Sequence, residues 1–76
     1  MVAVANLVRE ARVKSGLSQK DVARKFGWTS AQFVSNIERG LVRVPADKTK
    51  AYAKTIGLSH SALVDAMISE YRKTLT

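Results

Sequence analysis

No cysteine occurs in the chain, so a disulfide framework and a thiolate metal site are both excluded. Histidine occurs once, as His60, beside the expected cap of a helix, with no second imidazole and no carboxylate cluster near it; it reads as a surface residue. A glycine-rich phosphate loop is missing, and no serine or threonine stands in a nucleophile elbow or a Ser-x-x-Lys setting supported by a base. These absences argue against an enzyme, and neither a cofactor nor a metal is expected. No apolar run approaches the length of a membrane span, and the opening MVAVANLVRE carries no basic leader, so membrane insertion and secretion are not expected either. A cytoplasmic protein is the default. Acidic residues are scarce as well, with six Asp and Glu against thirteen Lys and Arg.

That imbalance gives a net charge of +7, which repels itself unless an anionic partner absorbs it. Nucleic acid is the first such partner to consider, and an anionic membrane surface the second. At 76 residues the chain is one domain, 1–76, with a modest core and no room for a second, ligand-sensing lobe. Its 46% hydrophobic content is enough for folding, and so small a core invites support from dimerisation.

The hydrophobic pattern is helical throughout. Val4, Leu7, Val8 and Ala11 recur at three- and four-residue spacing and predict an amphipathic helix over Ala3–Lys14, stopped at Gly16, with Leu17 under the turn. Ser18 and Asp21 form a capping-box pattern that opens a second short helix, with Val22, Ala23 and Phe26 on its buried side and Gly27 at its end. Thr29 or Ser30 is placed to cap a third helix, in which Val34 and Ile37 face inward and Gly40 supplies the left-handed stop. Residues 41–44 read as a loop closed by Pro45, and Asp47 as the cap or first-turn acid of a fourth helix with Tyr52, Ala53 and Ile56 inward. After Gly57 and Leu58, Ser59 caps a fifth helix over about residues 59–73, carrying Leu63, Val64, Met67, Ile68 and Tyr71. Five short helices with tight glycine turns predict a compact all-α domain. Two of them, about residues 18–40, are joined by a tight turn in a strongly basic chain, which is what a DNA-reading helix-turn-helix requires.

Gly16-Leu17-Ser18-Gln19, Ala23, Gly27, Val34-Ser35, Ile37-Glu38-Arg39-Gly40, Pro45, Ala53 and Ile56-Gly57 together resemble the Cro/C1-type helix-turn-helix family, the fold of lambda-like phage repressors and Xre-type regulators. The resemblance covers about residues 5–67 and implies a five-helix, lambda-repressor-like DNA-binding domain. One departure stands out. The stretch between Gly27 and Glu38 is one residue longer than the commonest family pattern, so an extra residue sits in the turn or starts the third helix earlier.

In this family the N-terminal half of the third helix enters the major groove, where each base pair shows a distinct donor and acceptor pattern. The resemblance therefore implies base contacts from Ser30, Ala31, Gln32, Ser35 and Asn36. Gln32 and Asn36, four apart, share a side of the helix, where each amide is able to pair with an adenine edge; the alternative is that both are merely solvated. Gln19 opens the second helix, where the family's residue approaches the DNA backbone and steadies a base-reading amide. Thr29, Lys20, Arg39, Arg43 and Lys48, with Arg9 and Lys14, lie in or beside segments that flank DNA, with Arg43 and Lys48 the leading phosphate contacts. Lys20 is equally readable as a solvated charge, as are Arg24, Lys25, Lys50, Lys54, Arg72 and Lys73. Arg12 and Glu38 match an ion pair that locks the recognition helix to the scaffold in some relatives. Phe33 reads as core edge or as a thymine-methyl contact, and Trp28 as a core cover or a sugar-phosphate contact.

Val64, Ile68, Tyr71 and Leu75 form a second apolar stripe on the fifth helix, which a two-fold dimer would bury or a monomer's own core would use. The combined reading is a homodimeric regulator of transcription, a repressor on a palindromic double-stranded DNA operator. A phage repressor, an antitoxin or a controller of a restriction-modification operon all suit so small a chain. The competing class is a protein-interaction module, such as an antitoxin whose main partner is a toxin or another regulator. RNA binding is disfavoured by the absence of an aromatic stacking platform.

Overall fold

A computed structural model describes residues 3–75 of the chain. Its helices are α1 (Ala3–Lys14), α2 (Gln19–Lys25), α3 (Gln32–Glu38), α4 (Thr49–Thr55) and α5 (His60–Thr74), with a single 3-10 turn, Ala46–Lys48, leading into α4. No strand is present among the described residues. The all-α, five-helix architecture expected from the apolar spacing is the one observed.

The packing follows from which side of each helix is apolar. Val8 of α1, Val22 of α2, Val34 and Ile37 of α3, Tyr52 of α4, Ile56 just after it and Leu63 of α5 are fully buried and meet in one core. α5 packs across α1 and α4, and α3 is held between α1 and α2. Two buried positions were not evident from spacing. Ala5 is too small to mark a face, and Val44, placed in a loop, turns into the core at 3% exposure.

The start of α2 is built as its sequence requires. The Ser18 hydroxyl accepts from the Asp21 amide at 3.0 Å, and the Asp21 carboxylate accepts from the Ser18 amide at 2.8 Å, so both halves of the capping box are present. The Ser18 amide, then its hydroxyl, hold the Asp21 carboxyl below its ordinary value. A carboxyl lowered in the folded state contributes stability above its unfolded pKa, and that contribution is lost as pH falls through the folded value. The melting-temperature gap between the natural chain and Asp21→Asn is therefore expected to be constant near neutrality and to close below about pH 4.

α3 begins differently from expectation. Its first residue is Gln32, and the position before it is Ala31, which has no side-chain cap. Of the two proposed caps only Ser30 contributes, its hydroxyl accepting from the Gln32 amide at a long 3.3 Å; Thr29 lies outside the helix start. The additional residue thus lengthens the turn and does not start the helix early. An aromatic cluster flanks this turn. Trp28 stacks on Phe26 with ring centroids 4.8 Å apart and meets Phe33 edge-on at 4.8 Å, while Phe26 stacks in turn on Tyr52 at 5.6 Å. Trp28 is thus packed on the core, and residues 29–31 form the turn before helical geometry resumes at Gln32. Phe33 and Trp28 both pack on the core, the first of the two roles considered for each.

Asp47 also differs from expectation. It lies inside the 3-10 turn, close to Lys48 at 3.8 Å, and caps nothing; the α4 entry is secured instead by the Thr49 hydroxyl donating to the Pro45 carbonyl at 3.1 Å. At the other end of α4, Gly57 has φ +71°, and a Cβ there would fall 2.9 Å from the Ser15 hydroxyl oxygen. That hydroxyl donates to the Ile56 carbonyl at 2.7 Å, tying the end of α1 to the end of α4.

Candidate nucleic-acid interface

The third helix is locked to the scaffold by charge. Arg12 of α1 meets Glu38, the last residue of α3, through two hydrogen bonds: Nε to Oε2 at 2.6 Å and Nη2 to Oε1 at 3.0 Å. Arg12 Nη1 donates to the Leu17 carbonyl at 2.8 Å, so one guanidinium joins α1, the turn before α2 and α3. The side chains are 12% and 2% exposed, and the bond to Glu38 raises the Arg12 pKa above its ordinary value against the opposing effect of burial. Gln19 completes the group. Its amide nitrogen donates to Glu38 Oε1 at 3.1 Å, tying the start of α2 to the scaffold pair.

Beneath this group lies the Tyr52 hydroxyl, buried and without a hydrogen-bond partner. Burial, assisted by the nearby Glu38 charge and opposed by Arg12, raises its pKa above the usual phenol range. Because the hydroxyl is desolvated with no bond in return, Tyr52→Phe is expected to leave stability unchanged or raise it by up to about 1 kcal/mol. A thermal melt checks this, and a clear loss would mean that the hydroxyl has a partner.

The outward side of α3 carries a chain of polar contacts. Gln32 Nε2 donates to Asn36 Oδ1 at 2.9 Å, and Arg39 Nη2 donates to the same oxygen at 2.7 Å. The four-residue spacing does place both amides on one side, but turned toward each other, so Asn36 does not present a free donor and acceptor together as an adenine pair needs. Ser35 is half-buried on the same helix. Ser30 and Ala31, expected on the outward helical face, sit in the turn before α3, the first exposed and the second half-buried.

Thr29, Ser30, Gln32, Asn36 and Lys48 line one shallow groove with Trp28, Phe33 and Pro45. Lys48 is therefore brought beside α3. Arg43 is not: its guanidinium lies over the Tyr71 ring, 5.6 Å from the centroid, on the α5 side of the molecule. The attraction of a cation for an aromatic face explains the placement. Lys20 and Arg39 are exposed at the start of α2 and the end of α3, and Arg9 and Lys14 are exposed on α1.

A second, apolar groove of about 290 Å³ runs between the start of α1, the loop after α3 and α5, lined by Val4, Ala5, Ile37, Val42, Val44, Met67 and Ile68 with Arg43, Glu70 and Tyr71 at its polar edge. Ile68, Tyr71 and Leu75 are 47%, 52% and 68% exposed, whereas Val64 of the proposed stripe is half-buried. Glu70 secures the start of α1 by accepting from the Val4 amide at 3.2 Å, a contact 66 residues apart that local sequence patterns do not signal. His60 is exposed at the start of α5. Among the described residues no helix is long and apolar enough to cross a membrane.

A family model described as helix-turn-helix matches residues 8–63 of the chain. No curated protein and no solved structure matches the chain.

Proposed function

The chain belongs to the Cro/C1-type, Xre-like helix-turn-helix family of DNA-binding regulators, and from that membership we propose that it is a dimeric repressor acting in the cytoplasm on a palindromic operator. The observation that carries this reading is the separation of two surfaces. The groove beside α3, bearing Gln32 and Asn36, and the groove along α5, bearing Ile68 and Tyr71, share no lining residue, so one is free for DNA while the other is covered by a second copy. A two-fold pair built on the apolar surface sets two α3 helices about 34 Å apart, one turn of B-form DNA, and the operator is then an inverted repeat. Gln32, Ser35 and Asn36 face base edges, while Lys48, Thr29, Ser30 and Lys20 hold the sugar-phosphate backbone. Repression by blocking polymerase needs no further module.

Salt separates this reading from that of a protein-interaction module. Log affinity for duplex DNA is expected to fall linearly with log salt, by about 0.9 for each phosphate neutralised. Lys48→Ala is expected to weaken all duplexes alike and lower the slope by about one unit, whereas Arg43→Ala, whose guanidinium lies over Tyr71 away from the groove beside α3, leaves the slope unchanged. Duplex affinity indifferent to salt in the natural chain contradicts the reading and favours a protein partner for the exposed grooves.

A further inference from the structure

The two amides on the α3 face are indistinguishable in shape but opposite in chemistry at their two ends, and one neighbour decides which end points where. Arg39 is that neighbour. A guanidinium has donors only, so the Asn36 atom 2.7 Å from its Nη2 has to be the oxygen. Once that oxygen is fixed, the Gln32 atom 2.9 Å from it has to be the nitrogen. A flip of Asn36 would set its NH2 group against the guanidinium, donor against donor. Both lone pairs of Asn36 Oδ1 are then occupied, and Asn36 keeps only the two N–H groups of Nδ2 for anything outside the protein. Gln32 keeps its oxygen and one N–H.

We propose that Arg39 is a positioning residue that sets the base preference of α3 by fixing Asn36 as a donor and Gln32 with its oxygen outward. The proposal rests on the DNA-binding reading above and goes beyond it by assigning the chemistry that each amide reads. Asn36, as a double donor, takes an edge with two acceptors, and guanine N7 with O6 is the major-groove edge that offers them. Gln32, with an acceptor and a remaining donor, retains the pattern that pairs with adenine N6 and N7. The α3 face thus reads guanine beside adenine, not two adenines.

The test is selection of bound duplexes from a random pool with the natural chain, Asn36→Ala and Arg39→Ala. Arg39 is exposed and carries no core contact, and matching melting curves verify that its variant is folded. The position whose preference disappears in Asn36→Ala is the one that Asn36 reads. Guanine is expected there with the natural chain, and in Arg39→Ala, where Asn36 is released to turn over, the guanine-over-adenine ratio is expected to fall by about tenfold. Adenine at that position with the natural chain, or an unchanged ratio in Arg39→Ala with only a uniform loss of affinity and a salt slope about one unit lower, overturns the proposal and leaves Arg39 as a phosphate contact. Failure of the natural chain to enrich any sequence overturns the DNA-binding reading itself, and this proposal with it.

Discussion

Replacing Glu38 with alanine is expected to bring the domain to the edge of unfolding, a loss of about 3–5 kcal/mol, because it strands a guanidinium that is largely removed from water. The reason lies in what the carboxylate holds. It accepts two bonds from Arg12 and one from Gln19, and no other acid among the described residues is recorded in contact with Arg12. Domains of this size are stable by only about 0.05–0.15 kcal/mol per residue, so the loss is comparable with the whole. Removing both charges is a different matter. Arg12→Met with Glu38→Leu replaces the pair by apolar volume, and much of the lost stability is expected to return, since a buried ion pair contributes little over a hydrophobic substitute. Denaturant titration of the single and double variants checks both statements. A Glu38→Ala domain as stable as the natural one would mean that the pair is hydrated and does not fix α3. Loss of DNA binding in Glu38→Ala is thus a folding defect first, to be judged against the double variant.

The second large effect concerns binding. Gln32→Ala and Asn36→Ala are each expected to weaken specific DNA binding by about 1–3 kcal/mol while leaving binding to unrelated duplex nearly unchanged, because base contacts specify and phosphate contacts only position. The two losses are not expected to add. Asn36 Oδ1, held by Arg39, orients Gln32, so Asn36→Ala also releases Gln32, and the double variant should lose less than the sum. Titrations of a selected duplex and a scrambled one with all four proteins measure this directly. Equal losses on both duplexes would remove these amides from the base-reading set, and strict additivity would mean that their mutual bond does not persist on DNA.

Much of the fold was legible because its signals are local. The Ser18–Asp21 box, the Ser59 cap, whose hydroxyl accepts from the Ala62 amide at 3.1 Å, and the glycines that close the first four helices each act within a few residues. The apolar spacing likewise named Val8, Val22, Val34, Ile37, Tyr52, Ile56 and Leu63 as core. The start of α3 was not legible, since Thr29 and Ser30 are good caps by type and the position of Trp28 on Phe26 depends on Tyr52 in a helix more than twenty residues away. Side-chain direction was the other limit. Family resemblance put Gln19, Arg43, Gln32 and Asn36 near DNA, but long polar side chains turn to whatever donor, acceptor or ring lies within reach. Gln19 found Glu38, Arg43 found Tyr71, and Gln32 with Arg39 found Asn36.

The central claim is that this chain is a dimeric, sequence-reading regulator, and enrichment of bound duplexes from a random pool tests it most directly. The selected sequence is then titrated beside a scrambled duplex at two salt concentrations. An inverted repeat with half-site centres about one helical turn apart, bound far more tightly than the scramble, is the predicted result. Absence of enrichment, with uniformly weak and salt-sensitive binding to every duplex, would contradict it.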